Sequence, residues 1–177
     1  VPAFKIGSGE CNNIPLLDHI AGLGKPMILS TGMNDLISIK RSVNAIRKHG
    51  VPLALMHCTS MYPTPYASVR LGAVTQLIKT FPDIPIGLSD HSMNIWTCLG
   101  AVSLGASILE KHFTSNKKWK GPDIQVSIDP NELQQLIEGS KAIKQALDGK
   151  KNILDGEQPT IKFAYSSVVT TMDIKKN

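Results

Sequence analysis

Cysteine is scarce in this sequence, and its three thiols are not spaced for a disulfide framework or a zinc site. Cys11, Cys58 and Cys98 are odd in number and widely separated, with no Cys-x-x-Cys pattern. Disulfide-stabilised domains and structural zinc sites depend on paired or closely spaced cysteines. We therefore expect reduced thiols and a cytoplasmic location.

Long apolar runs and interleaved aromatic residues are also missing. No apolar run approaches the roughly 20 residues needed to span a bilayer, and residues 1–5 lack the charged-then-apolar order of a signal peptide. The net charge of +5 comes from dispersed lysines and short clusters, without the aromatic residues that stack on single-stranded nucleic acid. We expect neither a membrane nor a nucleic acid as a partner, and an anionic small substrate explains the charge as well.

The sequence instead shows a regular alternation of strand and helix patterns. Its 177 residues, 42% apolar and 5% aromatic, suit one α/β unit with an aliphatic core. The patterns repeat every 25 to 35 residues, roughly, which is typical of βα units and a parallel sheet. Helices between such strands cover both faces of a sheet or ring a barrel. The predicted strands are residues 3–8, 26–30, 52–58, 84–88 and 107–112.

Capping residues and apolar stripes predict the helices between these strands. Asn34 is expected to cap the second helix. Asp129 followed by Glu132 predicts a capping box at the start of the last helix. From Lys150 onward the composition changes, and residues 164–169 form a short strand-like run. We interpret this last part as a linker leading towards a further domain.

Polar and ionisable residues follow nearly every predicted strand. His91 and His112 each come just after a short apolar run, and two imidazoles at successive strand ends can share one divalent metal. The loops after the strands form the active face of a βα barrel, so the polar residues there are expected to share one pocket. These residues are Lys5, Ser8, Glu10, Ser30, Ser60, Tyr62, Ser89, His91, His112 and Asp123.

Three serines and a lysine predict an anion site within this pocket. Ser8, Ser30 and Ser89 have glycine amides nearby, and Lys5 supplies positive charge. Together they form a cradle for a phosphate without a Walker-type loop.

Each of these residues has a plainer alternative when taken singly. A lone strand-end histidine is more often a hydrogen-bonded structural residue than a ligand, and we interpret His57 in that way. Lys5 can extend from a barrel interior to solvent. Tyr62, which precedes two closely spaced prolines, either packs against a helix or is held over a site, and the sequence leaves both open.

Seven segments, taken together, resemble the sialic acid synthases and, more broadly, the nonulosonic acid synthases. The resemblance extends over essentially the whole chain. The segments are Lys5-Ile-Gly-Ser-Gly-Glu10, Ile28-Leu-Ser-Thr-Gly32, His57-Cys-Thr, Tyr62-Pro-Thr-Pro65, Gly87-Leu-Ser-Asp-His91, Glu110-Lys-His-Phe-Thr114 and Gly121-Pro-Asp123.

The resemblance implies an α/β fold of the (β/α)8 TIM barrel type, followed by a small antifreeze-like (SAF) domain. Residues 1–150 would be the C-terminal five βα units of the synthase barrel, and residues 151–177 a linker and the start of the C-terminal domain. The chain begins without Met, at the start of a predicted strand, which indicates a fragment. Because the missing strands would supply further site residues, we expect this fragment to be inactive alone. At full length the resemblance implies a domain-swapped homodimer.

The resemblance also implies a reaction. Phosphoenolpyruvate would condense with N-acetylmannosamine or a related N-acylated amino sugar, giving sialic acid, or another nonulosonic acid such as legionaminate, plus phosphate. His91 and His112 would hold Mn²⁺ or Mg²⁺, which polarises the sugar aldehyde. The catalytic residues would be Glu10, which handles the proton of the attacking water, with Lys5 and Asp123.

The remaining site residues divide between the two substrates. Phosphoenolpyruvate would be bound by Lys5, Ser8, Ser30, Ser60 and Ser89, and the sugar by Tyr62 and Asp123. Ser60 departs from the family pattern, since asparagine often stands there, and this leaves legionaminate-type sugars open. Alternatives are a synthase acting on a sugar 6-phosphate or another metal-dependent barrel aldolase and, in a different class, a noncatalytic barrel scaffold.

Overall fold

The fold is built on a parallel sheet whose five strands lie side by side in chain order. The computed structural model describes residues 1–176. The strands are β1 (Phe4–Ile6), β2 (Met27–Ser30), β3 (Leu53–Cys58), β4 (Ile86–Asp90) and β5 (Ile108–Lys111). All five predicted strands are present, although the fourth lies two residues later than expected. Its pairing with β5 continues through Ser89 and Asp90, beyond the apolar run.

Helices follow each strand, as expected for βα units. They are α1 (Ile14–Ala21), α2 (Leu36–Arg47), α3 (Tyr66–Val69), α4 (Gly72–Thr80), α5 (Trp96–Ser103), α6 (Pro130–Ala146) and α7 (Gln158–Ala164). Within residues 1–176 no helix is long and apolar enough to cross a membrane.

One predicted helix cap is confirmed and another is wrong. At α6 the capping box is complete, with Asp129 and Glu132 each accepting the other's backbone N–H at 2.9 Å. At α2 the cap is Asp35, which accepts the Ser38 N–H at 2.8 Å. Asn34 instead donates to the Gly32 carbonyl at 2.7 Å, and so stabilises the loop before the helix.

The chain divides into two compact units, Val1–Leu147 and the residues from Asp148 onward. In the second unit the strand expected at residues 164–169 is wrong. The helix α7 covers Gln158–Ala164, and residues 165–176 contain no strand. A strand needs a partner to satisfy its backbone groups, and none of the described residues supplies one here.

The outer face of the sheet, on which the helices pack, carries the core. Alternate strand residues point to this face, and those that are fully buried stabilise the fold by about 1.5–3 kcal/mol for each large aliphatic side chain. Two clusters form. The first includes Met27, Leu29, Leu55, Ile86, Leu17, Val43, Ile46 and Val74, and the second Leu88, Cys98, Ala101, Ile128 and Leu136.

The inner face of the sheet carries the polar residues and is concave. We define it by Lys5, Ser30, Cys58, Ser89 and Glu110, which the strand register places on the same side. In a flat sheet β1 and β5 would be about 19 Å apart, at about 4.8 Å for each step between strands. Yet Lys5 Nζ on β1 lies 2.9 Å from Glu110 Oε1 on β5. The five strands therefore curve into a half-barrel.

Candidate active site

The two predicted histidines lie side by side at the carboxyl ends of neighbouring strands. His91 follows β4 directly and His112 follows β5, and their ring centroids are 5.2 Å apart. The ring of Tyr62, from the loop after β3, lies 4.0 Å from His91 and 5.8 Å from His112. The phenol is thus held over both imidazoles, which favours the second of the two alternatives for Tyr62.

The ring of His91 is oriented by a backbone carbonyl. Its Nδ1 lies 3.1 Å from the Thr59 oxygen, which accepts only from an N–H. This contact assigns the proton to Nδ1 and leaves the Nε2 lone pair free, an arrangement common in metal-binding histidines.

The buried thiol of Cys58, 3.8 Å from the same Nδ1, is a neighbour that the sequence did not identify. Burial opposes ionisation of the thiol, but the contacts with His91 and Ser8 outweigh it and lower the pKa of Cys58.

His112 is the more open of the two imidazoles and has an acidic neighbour. Its Nδ1 lies 3.7 Å from Asp123 Oδ2, so the structure brings these two predicted residues together. Burial lowers the pKa of His112, and the nearby His91 adds to this effect, against the attraction of Asp123. The imidazole is therefore neutral at neutral pH, which is the form that binds a metal.

His91 and His112 can hold a divalent ion whose remaining ligands are not side chains of the described residues. In both imidazoles the Nδ1 atom faces an oxygen, at 3.1 Å in His91 and at 3.7 Å in His112, which leaves Nε2 as the atom available to a metal. Among residues 1–176 no group of three or more histidine, cysteine or acidic side chains is arranged to hold a metal ion. Further ligands would have to be water or substrate, and the choice between manganese and magnesium stays a prediction.

A row of charged and polar groups crosses the inner face beside the histidines. Glu110 accepts from Lys5 Nζ at 2.9 Å and from the Ser89 hydroxyl at 2.7 Å. Burial favours the neutral acid, but these two partners outweigh it and lower the pKa of Glu110, so the group is a carboxylate at neutral pH. No sequence pattern assigned a role to Glu110. It lies two residues before His112, so both side chains lie on the same side of the strand, and this spacing could have identified Glu110 as a site residue.

Two of the predicted phosphate-binding serines, Ser8 and Ser60, lie against Gly32, where a side chain would meet their hydroxyls. The Ser8 hydroxyl accepts the Gly32 N–H at 3.0 Å. A Cβ on Gly32 would lie 2.5 Å from Ser60 Oγ and 2.7 Å from Ser8 Oγ, so two hydroxyls converge there. Ser30 Oγ is buried and has no hydrogen-bond partner within the described part of the chain. Such a hydroxyl costs about 1–3 kcal/mol, which a bound ligand can recover.

Glu10 lies apart from these contacts. It ends a short 3-10 turn after β1, and its exposed carboxylate accepts from Asn13 Nδ2 at 2.7 Å. No hydrogen bond or ion pair between residues 1 and 176 joins Glu10 to another predicted site residue. His57, interpreted as structural, is confirmed in that role, because it is buried with Nε2 at 2.7 Å from the Val69 carbonyl.

A second ion pair lies at the same strand ends on the outer face. Lys111 Nζ is 2.6 Å from Asp90 Oδ2, and the side chains are only 3% and 1% exposed. Asp90 also accepts from the hydroxyls of Ser92 and Thr97, each at 2.9 Å. Burial opposes ionisation, but Lys111 and Ser92 outweigh it and lower the pKa of Asp90. We call these four side chains the outer network.

Cavity size alone does not identify the site. A cavity of about 570 Å³ lies between α5, β5 and α6, where apolar residues such as Val102 and Leu109 line it together with Lys141 and Lys144. A smaller one of about 160 Å³ is bounded by Ser89, Asp90, Glu110, Lys111 and His112 at the carboxyl ends of β4 and β5. The polar groups converge at the smaller cavity, which we take as part of the candidate site.

Comparisons with known proteins identify relatives of this chain. The chain is 42% identical to the N,N'-diacetyllegionaminic acid synthase of Campylobacter jejuni, over 98% of this chain and 53% of that protein. It is 37% identical to the human N-acetylneuraminate-9-phosphate synthase, over 98% and 49%. The crystal structure of an N-acetylneuraminic acid synthetase from Leptospira borgpetersenii superposes with a TM-score of 0.84 at 36% identity, covering 92% of this chain and 57% of that one.

The chain thus spans about half the length of the curated relatives it matches. The model for the NeuB family matches residues 1–152, which is most of this chain. With the half-barrel and the site residues at its strand ends, this match identifies the chain as a member of the NeuB family.

Proposed function

We propose that this protein condenses phosphoenolpyruvate with an N-acylated amino sugar, forming a nonulosonic acid and phosphate. The observation that carries the proposal is the convergence of His91, His112 and Tyr62 with the Lys5–Glu110 pair on one rim of a NeuB-family half-barrel. The names of the related synthases support the product class.

The inner face offers a site for the phosphoenolpyruvate anion. Lys5 supplies a cation, and the converging hydroxyls of Ser8 and Ser60 supply donors. The unpartnered hydroxyl of Ser30 would gain a hydrogen bond when the anion binds. Ser89 holds Glu110 and so orients the carboxylate next to Lys5.

His91 and His112 would hold a divalent ion, Mn²⁺ or Mg²⁺. When bound, the ion supplies a Lewis acid that polarises the sugar aldehyde. The Thr59 carbonyl fixes the ring of His91, and Asp123 lies beside the ring of His112. Tyr62 covers both rings and, together with Asp123, would hydrogen-bond the sugar hydroxyls.

The bond changes follow from the two substrates. The methylene carbon of phosphoenolpyruvate would attack the aldehyde carbon, whose oxygen takes up a proton and becomes a hydroxyl, and positive charge would be left on C2 of the enol phosphate. Water then adds to C2, and the tetrahedral intermediate loses phosphate through C–O cleavage. A carboxylate must take the proton of this water. Glu10 is our candidate for that step, and the ionised Glu110, held by Lys5 and Ser89, is the second.

The complete protein would be larger than the described half-barrel. An open five-stranded sheet has two unpaired edges, and a TIM barrel needs eight strands to close. We therefore propose an eight-stranded barrel followed by an antifreeze-like domain, in a domain-swapped homodimer. The 177-residue chain alone would lack part of the pocket and would be inactive.

The test is metal-dependent phosphate release by the full-length protein. Three sugars are offered with phosphoenolpyruvate and manganese: N-acetylmannosamine, its 6-phosphate and a 2,4-diacetamido-trideoxyhexose. The variant is His91→Ala, and the matched control is His49→Ala, since His49 pairs with Asp18 at 2.8 Å on the surface. We expect release with one sugar, lost in His91→Ala and kept in His49→Ala. No release with any sugar would refute the proposal and leave another aldolase or a scaffold.

A further inference from the structure

We propose that the buried pair of Asp90 and Lys111 is a positioning device that fixes the spacing of His91 and His112 for a shared divalent ion. The inference rests on the proposed function, because it concerns the metal-binding part of that reaction. Both residues lie on the outer face of the sheet and act through the histidines, so they are positioning residues.

The pair lies at the end of the pairing between β4 and β5, where each of its residues directly precedes a histidine. Asp90 and Lys111 are the last residues paired in the register of these strands. Because side chains alternate across a strand, the ion pair forms on the outer face while the imidazoles emerge on the inner side. This contact ties the two strand ends together, and with them the backbone positions of His91 and His112.

Lys111 also contacts the chain on both sides of His91. Its ammonium donates to the carboxylate of Asp90 and to the backbone oxygen of Ser92. Ser92 in turn donates its N–H to Asp90 Oδ1 at 3.1 Å and its hydroxyl to Oδ2 at 2.9 Å. The residues before and after His91 are therefore tied to each other and to β5, which leaves the backbone of His91 little freedom to rotate.

Two contacts outside the pair then fix the ring of His91 and the backbone of His112. The Thr59 carbonyl orients His91 at 3.1 Å, and the backbone oxygen of His112 accepts the Ile128 N–H at 2.8 Å. With both backbone positions and one ring orientation fixed, the centroid separation of 5.2 Å is preorganised before any ligand binds.

Stability alone does not account for a buried ion pair at this place. Replacing such a pair by apolar residues is often neutral or stabilising, because removing two charges from water is costly. A pair whose side chains are 3% and 1% exposed, each next to a candidate ligand, is better explained by the geometry that it imposes.

The experiment titrates Mn²⁺ alone into the full-length protein, without sugar or phosphoenolpyruvate, and follows free Mn²⁺ by electron paramagnetic resonance. The variant Asp90→Asn/Lys111→Met removes both charges, so that neither is left buried and unpaired. We expect the Kd for Mn²⁺ to rise about 10- to 100-fold, as for other partners of metal ligands. Thermal melts are recorded for every variant.

Two controls separate positioning from general destabilisation and from failure of the proposed function. Leu17→Ala opens the core at α1, where Leu17 is fully buried, and should lower the Tm without changing the Kd. His91→Ala should abolish the Mn²⁺ site. If the wild-type protein has no Mn²⁺ binding sensitive to His91→Ala, the metal step of the proposed function is wrong, and the positioning proposal fails with it.

If the wild type binds Mn²⁺ and the folded double variant binds it equally well, only the positioning proposal is overturned. The same holds if Leu17→Ala weakens Mn²⁺ binding as much as the double variant does. If the double variant does not melt cooperatively, the Kd for Mn²⁺ of the single variant Asp90→Asn is the test of the proposal. This substitution keeps the shape of the side chain, and a several-fold higher Kd supports the proposal whereas an unchanged Kd refutes it.

Discussion

Two lysine–carboxylate pairs join strands of the same sheet, and they differ in almost every physical respect. Lys5 and Glu110 meet across the inner face, where their side chains are 36% and 42% exposed. Lys111 and Asp90 meet on the outer face, where theirs are 3% and 1% exposed. Water reaches the first pair and is excluded from the second. A charged ligand can therefore compete for Lys5, whereas Lys111 has no accessible face.

The difference shows how one strand end serves two purposes. Glu110 and Lys111 are neighbours in sequence, yet alternation places one in the candidate pocket and the other in the outer network. The pocket residues have to be available to substrate, and the residues behind them have to be immobile. Substitutions at the two pairs should therefore differ in how much they lower the stability of the fold and how much they lower the activity of the protein.

Lys111→Met should have the largest effect on stability. It leaves the Asp90 carboxylate buried without its cation, which should cost about 3–5 kcal/mol in the free energy of unfolding. Urea denaturation followed by circular dichroism measures the loss. The same change at the exposed pair, Lys5→Met, is the matched control and should cost about 0–1 kcal/mol. Equal losses in the two variants would show that burial does not distinguish the pairs.

Gly87→Ala tests whether the inner face is closely packed below its polar rim. A Cβ at Gly87 would lie 2.5 Å from the Ile108 carbonyl oxygen and 2.5 Å from Met56 Sδ. The thioether can move but the backbone cannot, so overpacking should cost about 1–3 kcal/mol of unfolding free energy. Gly9→Ala, which meets nothing within 4 Å, is the control in the same denaturation assay. A fully stable Gly87→Ala protein would mean that this face is loosely packed.

The outer pair should also dominate the acid sensitivity of the fold. The pKa of Asp90 is lowered in the folded state, since Lys111 and Ser92 outweigh the effect of burial. Its contribution to stability is therefore complete above the unfolded pKa of about 3.9, and is lost as the pH falls through the lower folded pKa. Unfolding free energies measured from neutral to acid pH should fall less steeply in Asp90→Asn than in wild type. Parallel curves would contradict the assignment.

Glu110→Gln should have the smallest effect on stability. The Lys5 pair is half exposed, so its loss should cost at most about 1 kcal/mol, and less at high salt. In the full-length protein, the proposed function predicts that the same change lowers phosphate release. Denaturation at low and high salt, together with the phosphate assay, measures both. Large destabilisation with unchanged turnover would reverse the roles assigned to the two pairs.

The sequence predicted the order of the elements well because apolar runs and helix caps are local signals. Strand ends were less predictable. The apolar run of β4 stops at Leu88, but pairing continues to Asp90, whose charge is neutralised by Lys111 from the next strand. Asn34 and Asp35 are both residue types that cap helices well. Only the structure shows that Asp35 is the one whose carboxylate accepts a backbone N–H from the first turn of α2.

The sequence predicted the site residues whose chemistry suggests a role, and it missed the one whose role depends on a contact with a distant residue. His91, His112 and Tyr62 come together as expected. Glu110 was missed because its partner Lys5 lies 105 residues away, and no local pattern joins the two. The roles assigned to Glu10 and to the serines stay predictions.

The contact between Lys5 and Glu110 also has a consequence for how the chain folds. Neighbouring strands are separated by one helix, or by two between β3 and β4, and by the adjoining loops, so the sheet can grow one strand at a time in chain order. The pair that spans it, 105 residues apart, forms only when β5 has docked, because the larger loop must close first. During synthesis the inner face of β1 to β4 would therefore stay open until β5 has been made and has docked.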